Sequence, residues 1–287
     1  MSKTFIPRIQ ELAKFTRMLA LVGASIKLRS SALADSEIKE RIDTGALMAL
    51  TEAGLVNEDE IPLALTMIEM AVNEAAELLR NPERGSNWEI SDAAALQLMG
   101  RASKSAFSSI RAISDAHPQM REALNGTFLD VGTGVAGLAL EAAAACPEIK
   151  VEGIDIWEPA LELARRNIAE SSHSSRVSVR NVNIASLDDV KRYSLAWLPT
   201  MYMKRPIVEA AIDRIERALV PGGYLVAGLY TRAEDPFLAL VADLSTLRGG
   251  GEIGDAHEIT RMMEAGGFVL VETRETPIAT YVVGRLP

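Results

Sequence analysis

A glycine-rich segment at residues 128–137 constrains the fold of this chain more than any other feature of the sequence. It reads Phe-Leu-Asp-Val-Gly-Thr-Gly-Val-Ala-Gly, so an apolar run of strand length leads into three glycines and then into a stretch rich in leucine and alanine. Glycine lets the backbone turn sharply and approach a ligand closely, and a helix that follows presents unpaired N–H groups in its first turn. The segment therefore predicts a strand, a turn and a helix that bind a nucleotide-like cofactor.

The C-terminal part of the chain alternates apolar runs of strand length with helical stretches. Strands that alternate with helices form a mostly parallel sheet with helices on both faces. The last two apolar runs are separated only by a short loop that contains Pro277, which predicts a terminal antiparallel hairpin. The predicted strands are residues 127–131, 151–155, 177–181, 195–198, 224–229, 268–273 and 280–283.

The N-terminal part differs, because its apolar residues recur at helical spacing. Between Ile61 and Leu79 they recur at steps of three and four, which places them on one face of a helix. Ser91 and Asp92, before an alanine run, predict the start of another helix. The sequence therefore predicts an α/β protein with an all-α domain at residues 1–120 and a sheet domain at residues 121–287.

Composition narrows the classes of partner and compartment. The chain has 30 basic and 39 acidic residues, a net charge of −9, which disfavours both nucleic acid and an anionic membrane surface. A single cysteine, Cys146, excludes an internal disulfide and is typical of a reducing cytosol. No apolar stretch approaches the ~20 residues needed to cross a bilayer. We predict a cytoplasmic protein that binds neither nucleic acid nor a membrane.

Two classes of cofactor fit the glycine-rich segment. Gly132, Gly134 and Gly137 match the G-x-G-x-x-G pattern, and Asp155 follows near the spacing of the dinucleotide fingerprint, so an NAD(P)-dependent oxidoreductase is one interpretation. Asp130 favours the other class, because a carboxylate two residues before the first glycine repels a pyrophosphate and accepts hydrogen bonds from an ammonium group.

Three features together resemble the class I S-adenosylmethionine-dependent methyltransferases: the Asp-x-Gly-x-Gly segment, the second acidic residue, and a Pro-Gly-Gly turn at residues 221–223. The resemblance covers roughly residues 125–287. It implies a Rossmann-like seven-stranded sheet, mostly parallel, with helices on both sides. The helical N-terminal part resembles the dimerisation domains of small-molecule, natural-product O-methyltransferases, which implies a homodimer.

The resemblance also implies which residues hold the methionine and ribose parts of S-adenosylmethionine. Asp130 and the backbone of Gly132 and Gly134 would hold the methionine moiety, with Thr133 between the two glycines in the same turn. Asp155, at the end of the second strand, would accept hydrogen bonds from both ribose hydroxyls.

The implied adenine site departs from the family pattern. Ile156 and Trp157 would flank the adenine ring. The family often has an Asp-Phe-like pair after the third strand, and this chain has Asn183 and Ile184 instead. Asn183 would face the adenine amino group and Ile184 would pack on the ring.

The usual general base of such O-methyltransferases, a histidine after the fourth strand, is missing from residues 196–204. Tyr202 lies there, but its ordinary pKa of about 10 makes it a poor base at rest. His257 is the other candidate catalytic residue. The stretch between Tyr193 and Arg205 contains no acidic residue, so we predict no metal site.

The acceptor is expected at the carboxyl ends of the strands, where open α/β sheets bind ligands, with the helical domain as a lid. The residues expected there are apolar with few charges, which favours a small, largely apolar organic acceptor. O-methylation is the leading expectation, N- and C-methylation are alternatives, and a regulatory protein that binds the cofactor without methyl transfer is another. The predicted substrate-binding residues are Met201, Tyr202, Met203, Tyr230 and Arg232.

Overall fold

Contacts within the chain divide it into two units, Met1–Glu83 and Arg84–Pro287. The first unit is helical in its described part, as the spacing of its apolar residues predicts. Its helices are α1 (Phe5–Arg29), α2 (Glu37–Leu50) and α3 (Ile61–Arg80). Val22 and Ile26 of α1 and Ala46 of α2 are buried together in a small apolar core. The residues described by this computed structural model are 5–29, 37–50, 61–86 and 88–287.

The second unit begins before the predicted domain boundary near residue 120, because two helices that precede the sheet belong to it. These are α4 (Ala93–Ala116) and α5 (Pro118–Ala123). Asp92 caps α4 as predicted, with its Oδ1 accepting a hydrogen bond of 2.7 Å from the Ala95 N–H. Phe107 of α4 is fully buried in the same core as Phe128 of the sheet. The helical pattern continues to residue 123, but burial assigns its last two helices to the sheet unit.

One seven-stranded sheet forms the centre of the second unit, with strand order β3-β2-β1-β4-β5-β7-β6. The first five strands pair in parallel, and β7 runs antiparallel to both β5 and β6. The predicted mostly parallel sheet with a terminal hairpin is therefore confirmed. The strands are β1 (Thr127–Val131), β2 (Lys150–Asp155), β3 (Val177–Asn181), β4 (Tyr193–Pro199), β5 (Leu219–Tyr230), β6 (Val269–Glu275) and β7 (Ala279–Arg285).

Helices cover both faces of the sheet, and each face has its own core. Successive residues of a strand point to opposite faces, so Phe128 joins one core and Leu129 the other. No helix in the described ranges is long and apolar enough to cross a membrane. The covering helices, besides α4 and α5, are α6 (Gly137–Ala145), α7 (Glu158–Glu170), α8 (Arg205–Ala218) and α10 (Ala256–Ala265). Helix α9 (Pro236–Arg248) follows β5, and most of its apolar side chains are exposed.

The strand order places a crevice where β1 and β4 lie side by side. The chain leaves β1 toward β2 and β3 on one side, and returns to β4 and β5 on the other. The loops that follow β1 and β4 therefore diverge and leave an opening at the carboxyl ends of these strands, which is where open α/β sheets bind ligands.

Candidate functional site

The glycine-rich turn after β1 has the backbone geometry that its sequence predicts. Gly132 and Gly134 have φ of +67° and +56°, in the left-handed region that favours glycine. The Gly132 and Thr133 N–H groups donate to the carbonyl oxygen of Ile154 on β2, at 2.8 and 3.1 Å. A Cβ at Gly134 would meet no atom within 4 Å, so the outer side of the turn is open. The turn is thus tied to the sheet on one side and free to approach a ligand on the other.

Asp155, the last residue of β2, is fixed beside this turn. Its Oδ2 accepts a hydrogen bond of 2.8 Å from the Gly134 N–H, and its Oδ1 accepts one of 2.9 Å from the Trp157 N–H. A carboxylate has about four acceptor positions, so each oxygen keeps one for a further donor. The half-buried carboxylate therefore suits a pair of neighbouring hydroxyl groups such as those of a ribose.

Asp130 lies beneath the turn. Its side chain is 1% exposed, and its Oδ2 accepts a hydrogen bond of 2.7 Å from the Thr133 hydroxyl. Burial, together with the nearby Asp155 carboxylate, raises the pKa of Asp130 to about 7, although the Thr133 hydrogen bond acts in the opposite direction. Asp130 holds the turn from below in this structure, and its predicted contact with a ligand ammonium stays a prediction.

These groups fit the cofactor that the sequence resemblance implies. The open side of Gly134 and the N-terminus of α6 provide a close backbone approach, and Asp155 provides free acceptor positions for hydroxyl groups. Asp130 is a buried carboxyl whose charge would be favoured by a nearby cation. The chemistry of this donor and acceptor set therefore agrees with a nucleoside that also carries an ammonium group.

The structure places the residues predicted to surround the adenine in different environments. Ile156 is 45% exposed and free to contact a ring. Trp157 is partly buried and its indole Nε1 donates to the carbonyl oxygen of Ile90 at 2.7 Å. Asn183 is exposed and its Oδ1 accepts from the Ala185 N–H at 2.9 Å, capping a single 3₁₀ turn. Ile184 is 6% exposed in the core beneath the sheet, so it offers little surface to a ligand.

A cleft that is partly open to solvent lies at the carboxyl ends of β4 and β5. Four of the five predicted substrate-binding residues line it: Met201, Met203, Tyr230 and Arg232. The fifth, Tyr202, reaches the same place, because its hydroxyl lies 3.0 Å from the Tyr230 hydroxyl and the two rings meet edge to face.

The cleft also contains charged residues that the sequence did not single out. Arg205 pairs with Glu252 at 3.4 Å and with Glu258, and Arg232 pairs with Asp243 at 3.2 Å. The expectation of a site with few charges is therefore corrected, because α9, α10 and the loop between them bring three carboxylates to it. In the sequence, Arg205 lies three residues after Tyr202, and Glu258 directly follows His257. This closeness to two candidate residues was the only sequence signal for them.

His257 is exposed in the first turn of α10 and is not among the residues that line the cleft. Asp255 caps this helix by accepting from the Glu258 N–H at 2.8 Å, and Glu258 is the residue that faces the cleft. The structure therefore does not bring His257 together with Tyr202. Among the residues that the structure describes, no group of His, Cys, Asp and Glu side chains is arranged to hold a metal ion.

Comparison with known families identifies the central part of the second unit, Arg84–Pro287. Residues 128–223 match a family described as "Methyltransferase domain". This stretch is a methyltransferase domain. The resemblance to the class I methyltransferases is thereby confirmed, and the matched residues include the glycine-rich turn, Asp155, Tyr202, β2 to β4 and all of β1 but its first residue.

Curated relatives of the methyltransferase domain act on different kinds of molecule. The chain is 31% identical over 113 residues to the ubiquinone/menaquinone biosynthesis C-methyltransferase UbiE of Geotalea daltonii, covering 38% of this chain and 47% of that protein. It is 33% identical over 118 residues to the ribosomal protein uL3 glutamine methyltransferase of Bordetella pertussis, covering 34% of this chain and 40% of the relative. The chain thus spans less than half the length of these two relatives.

Two solved structures resemble the fold over nearly the whole chain. The pyocyanin biosynthetic protein PhzM has a TM-score of 0.67 at 17% identity, covering 97% of this chain and 96% of its own. An O-methyltransferase family protein from Burkholderia thailandensis has a TM-score of 0.58 at 14% identity, covering 99% of both chains. At such identities the likeness concerns the fold. It includes the helical N-terminal part as well as the methyltransferase domain.

Proposed function

We propose that this chain binds S-adenosylmethionine beside β1 and β2 and transfers its methyl group to a small organic acceptor in the cleft at β4 and β5. The position of Asp155 carries the proposal, because two backbone N–H groups hold its carboxylate next to the open glycine turn. The acceptor cleft is lined by residues that follow β4 and β5, and β4 lies next to β1 in the sheet, so both ligands would meet at the carboxyl end of β1.

The residues of the methyltransferase domain would divide the cofactor between them. Asp155 would accept the ribose hydroxyls, the backbone of Gly132 and Gly134 would approach the methionine part, and Asp130 would face its ammonium from below. Thr133 positions Asp130 through its hydroxyl. When bound, the cofactor supplies a methyl group made electrophilic by a sulfonium. Ile156 and Trp157 would contact the adenine, with Asn183 at its edge, whereas Ile184 is buried in the core and is not proposed to contact it.

The cleft supports an acceptor with an apolar body and at least one polar group. Met201, Met203 and Leu229 give it an apolar wall, while Arg232 stands at an exposed edge beside Asp243. A partly apolar cleft with a few polar groups is typical of a small-molecule site. We infer oxygen as the methylated atom, because the paired hydroxyls of Tyr202 and Tyr230 can both donate to and accept from an acceptor hydroxyl.

Positioning would be the main catalytic contribution of the chain, since methyl transfer depends on in-line alignment of the acceptor with the methyl group. Tyr202 would act as an orienting group, its hydroxyl hydrogen-bonded to Tyr230 and to the acceptor. His257 keeps a catalytic role in this proposal only if α10 turns it toward the cleft.

The proposal is tested with the full chain, S-adenosylmethionine and a panel of small hydroxylated, amino and carbon acceptors. Mass spectrometry should find a 14-dalton gain on a small molecule, and calorimetric titration should find binding of S-adenosylhomocysteine in preference to NAD. Label transferred only to RNA or protein would overturn the acceptor class. Tight binding of NAD alone would favour an oxidoreductase, and cofactor binding without any product would favour a regulatory protein.

We infer further that the protein is a cytoplasmic homodimer. Large apolar side chains are exposed on several sides of α9, and a monomer rarely exposes such a group. Light scattering at micromolar concentration should give twice the chain mass of 31.0 kDa, and a monomer would contradict the inference. The exposed side chains of α9 are Phe237, Leu238, Leu240, Val241, Leu244 and Leu247.

A further inference from the structure

Trp88 lies outside the matched methyltransferase domain, in the segment that leads into α4. Its indole is 37% exposed and meets the indole of Trp157 edge to face, with ring centroids 5.8 Å apart and an interplanar angle of 89°. Trp157 follows β2 by two residues and donates its backbone N–H to Asp155. Trp88 is therefore in contact with the side of the crevice where the ribose of the proposed cofactor would lie.

Hydrogen bonds and apolar packing fix this segment to the glycine-rich turn. The Ile90 carbonyl oxygen accepts the Trp157 Nε1–H at 2.7 Å, and the Ile90 N–H donates to the Trp88 carbonyl oxygen at 2.8 Å. Ile90 and Trp157 pack against a buried cluster that includes Val135 of the turn and Leu96 of α4. The position of Trp88 is thus set by the same residues that shape the cofactor side of the site.

Trp88 also contacts the loop after α9. Gly250 has a φ of +92°, and a Cβ built there would lie 2.8 Å from Cδ1 of Trp88. A Cβ at the preceding residue, Gly249, would lie 3.1 Å from Cδ1 of Tyr202. Both features allow the loop to pass closely between Trp88 and the aromatic residue that follows β4.

These two contacts place Trp88 across the crevice. Trp157 follows β2 and Tyr202 follows β4, and β1 lies between these strands in the sheet. A side chain that contacts both Trp157 and the loop against Tyr202 bridges the segments that follow β2 and β4, the two neighbours of β1 in the sheet. An indole provides a large, rigid apolar surface, and every nucleobase has a face on which an aromatic ring can stack.

We propose that Trp88 is a cofactor-binding residue that covers the nucleoside part of S-adenosylmethionine and closes the crevice over it. The proposal rests on the function proposed above. It adds a binding residue from the segment before α4 to the groups of the methyltransferase domain. It also links the cofactor to the acceptor side, because displacement of Trp88 would free Gly250 and the loop beside Tyr202.

Calorimetric titration of the full chain with S-adenosylhomocysteine tests the proposal. Trp88→Ala should weaken binding by about tenfold or more, as loss of an aromatic stacking surface does, whereas Trp88→Phe should stay within about threefold of wild type. Val269→Ala is the matched control, because Val269 is an exposed apolar residue at the start of the edge strand β6 and should leave binding unchanged.

Tryptophan fluorescence gives a second measurement that does not depend on turnover. The chain has three tryptophans, of which Trp197 is buried in the core, so a ligand at the crevice should change mainly the emission of Trp88 and Trp157. Saturating S-adenosylhomocysteine should change the emission of the wild type, and Trp88→Phe should lose at least half of that change while it still binds.

The outcomes separate this inference from the proposed function. If the wild type does not bind S-adenosylhomocysteine, both are overturned. If the wild type binds and Trp88→Ala binds within twofold of it, only the role of Trp88 is overturned. An emission change in Trp88→Phe equal to that of the wild type would contradict the contact even if Trp88→Ala were too unstable to titrate.

Discussion

The two sides of the crevice differ in whether backbone groups or side chains form them. On the cofactor side, at β1 and β2, backbone groups dominate: glycines with positive φ, two N–H groups donating to Asp155, and the N-terminus of α6. On the side proposed for the acceptor, at β4 and β5, side chains form the site, with methionines, two tyrosine hydroxyls and two arginines paired with three carboxylates. Glycines at positive φ tolerate few substitutions, whereas a site made of side chains can change its ligand by single substitutions.

The largest expected effect concerns Asp130 and the pH dependence of stability. Its folded pKa of about 7 lies above the unfolded value of 3.8, so the folded state binds the proton more tightly. Its contribution to the free energy of unfolding is therefore complete below about pH 4 and is lost as the pH rises through 7, by up to about 4 kcal/mol. Urea unfolding of wild type and Asp130→Asn from pH 4 to pH 8 measures this difference.

Asp130→Asn keeps the acceptor for Thr133 and removes the titration, so the variant should gain stability relative to wild type as the pH rises. Parallel stability curves would mean that Asp130 does not titrate in this range. If the variant instead loses stability relative to wild type as the pH rises, Asp130 is charged in the folded state and is held as a ligand residue. The proposed cofactor site would then depend on this side chain as well as on backbone groups.

Asp155→Ala tests whether the cofactor side depends on this single carboxylate. The variant loses the proposed ribose contacts and leaves the Gly134 and Trp157 N–H groups without their acceptor. Hydrogen bonds to a charged group contribute about 1.5–3 kcal/mol, so affinity for S-adenosylhomocysteine should fall about 100-fold. Asp188→Ala, at an exposed acidic residue after β3, should bind as wild type does in the same titration. Retained affinity in Asp155→Ala would place the ribose elsewhere.

Gly134→Ala tests the backbone of the turn. A Cβ there meets no atom, so its cost comes from the left-handed φ alone, about 1–2 kcal/mol. Either the affinity for S-adenosylhomocysteine should fall about tenfold, or the free energy of unfolding should fall by about 1–2 kcal/mol. Gly85→Ala is the control, since a Cβ at Gly85 also meets nothing within 4 Å. If both substitutions behave alike, the conformation of the turn does not limit binding.

Tyr230→Phe should have the smallest effect and should be confined to the acceptor side. It removes a hydroxyl that lies 3.0 Å from the Tyr202 hydroxyl, and a neutral hydrogen bond contributes about 1 kcal/mol. KM for the acceptor should rise about fivefold, with an unchanged Kd for S-adenosylhomocysteine. A change in cofactor affinity would show that the two sides of the crevice are not independent.

Local sequence signals predicted most of the fold and the cofactor side. The apolar runs predicted the seven strands. The capping signal at Asp92 predicted the start of α4, and the spacing of apolar residues predicted the helix at Ile61–Arg80. The acceptor side was predicted only in part, because Glu252 and Glu258 are brought to Tyr202 and Tyr230 by the packing of α10 and the loop before it. Residues so far apart in the chain carry no shared periodicity.

The sequence alone determined the order of strands and helices along the chain and the glycine-rich turn that we propose binds the cofactor, since glycine conformation, apolar alternation and the Asp155 spacing are local properties. Tertiary structure decided which side chains share the crevice. It buried Ile184, left His257 exposed, placed Asp130 under the turn and brought Trp88 between Trp157 and Gly250. The reason is that burial and contact depend on how distant elements pack, whereas a turn depends on the residues that form it.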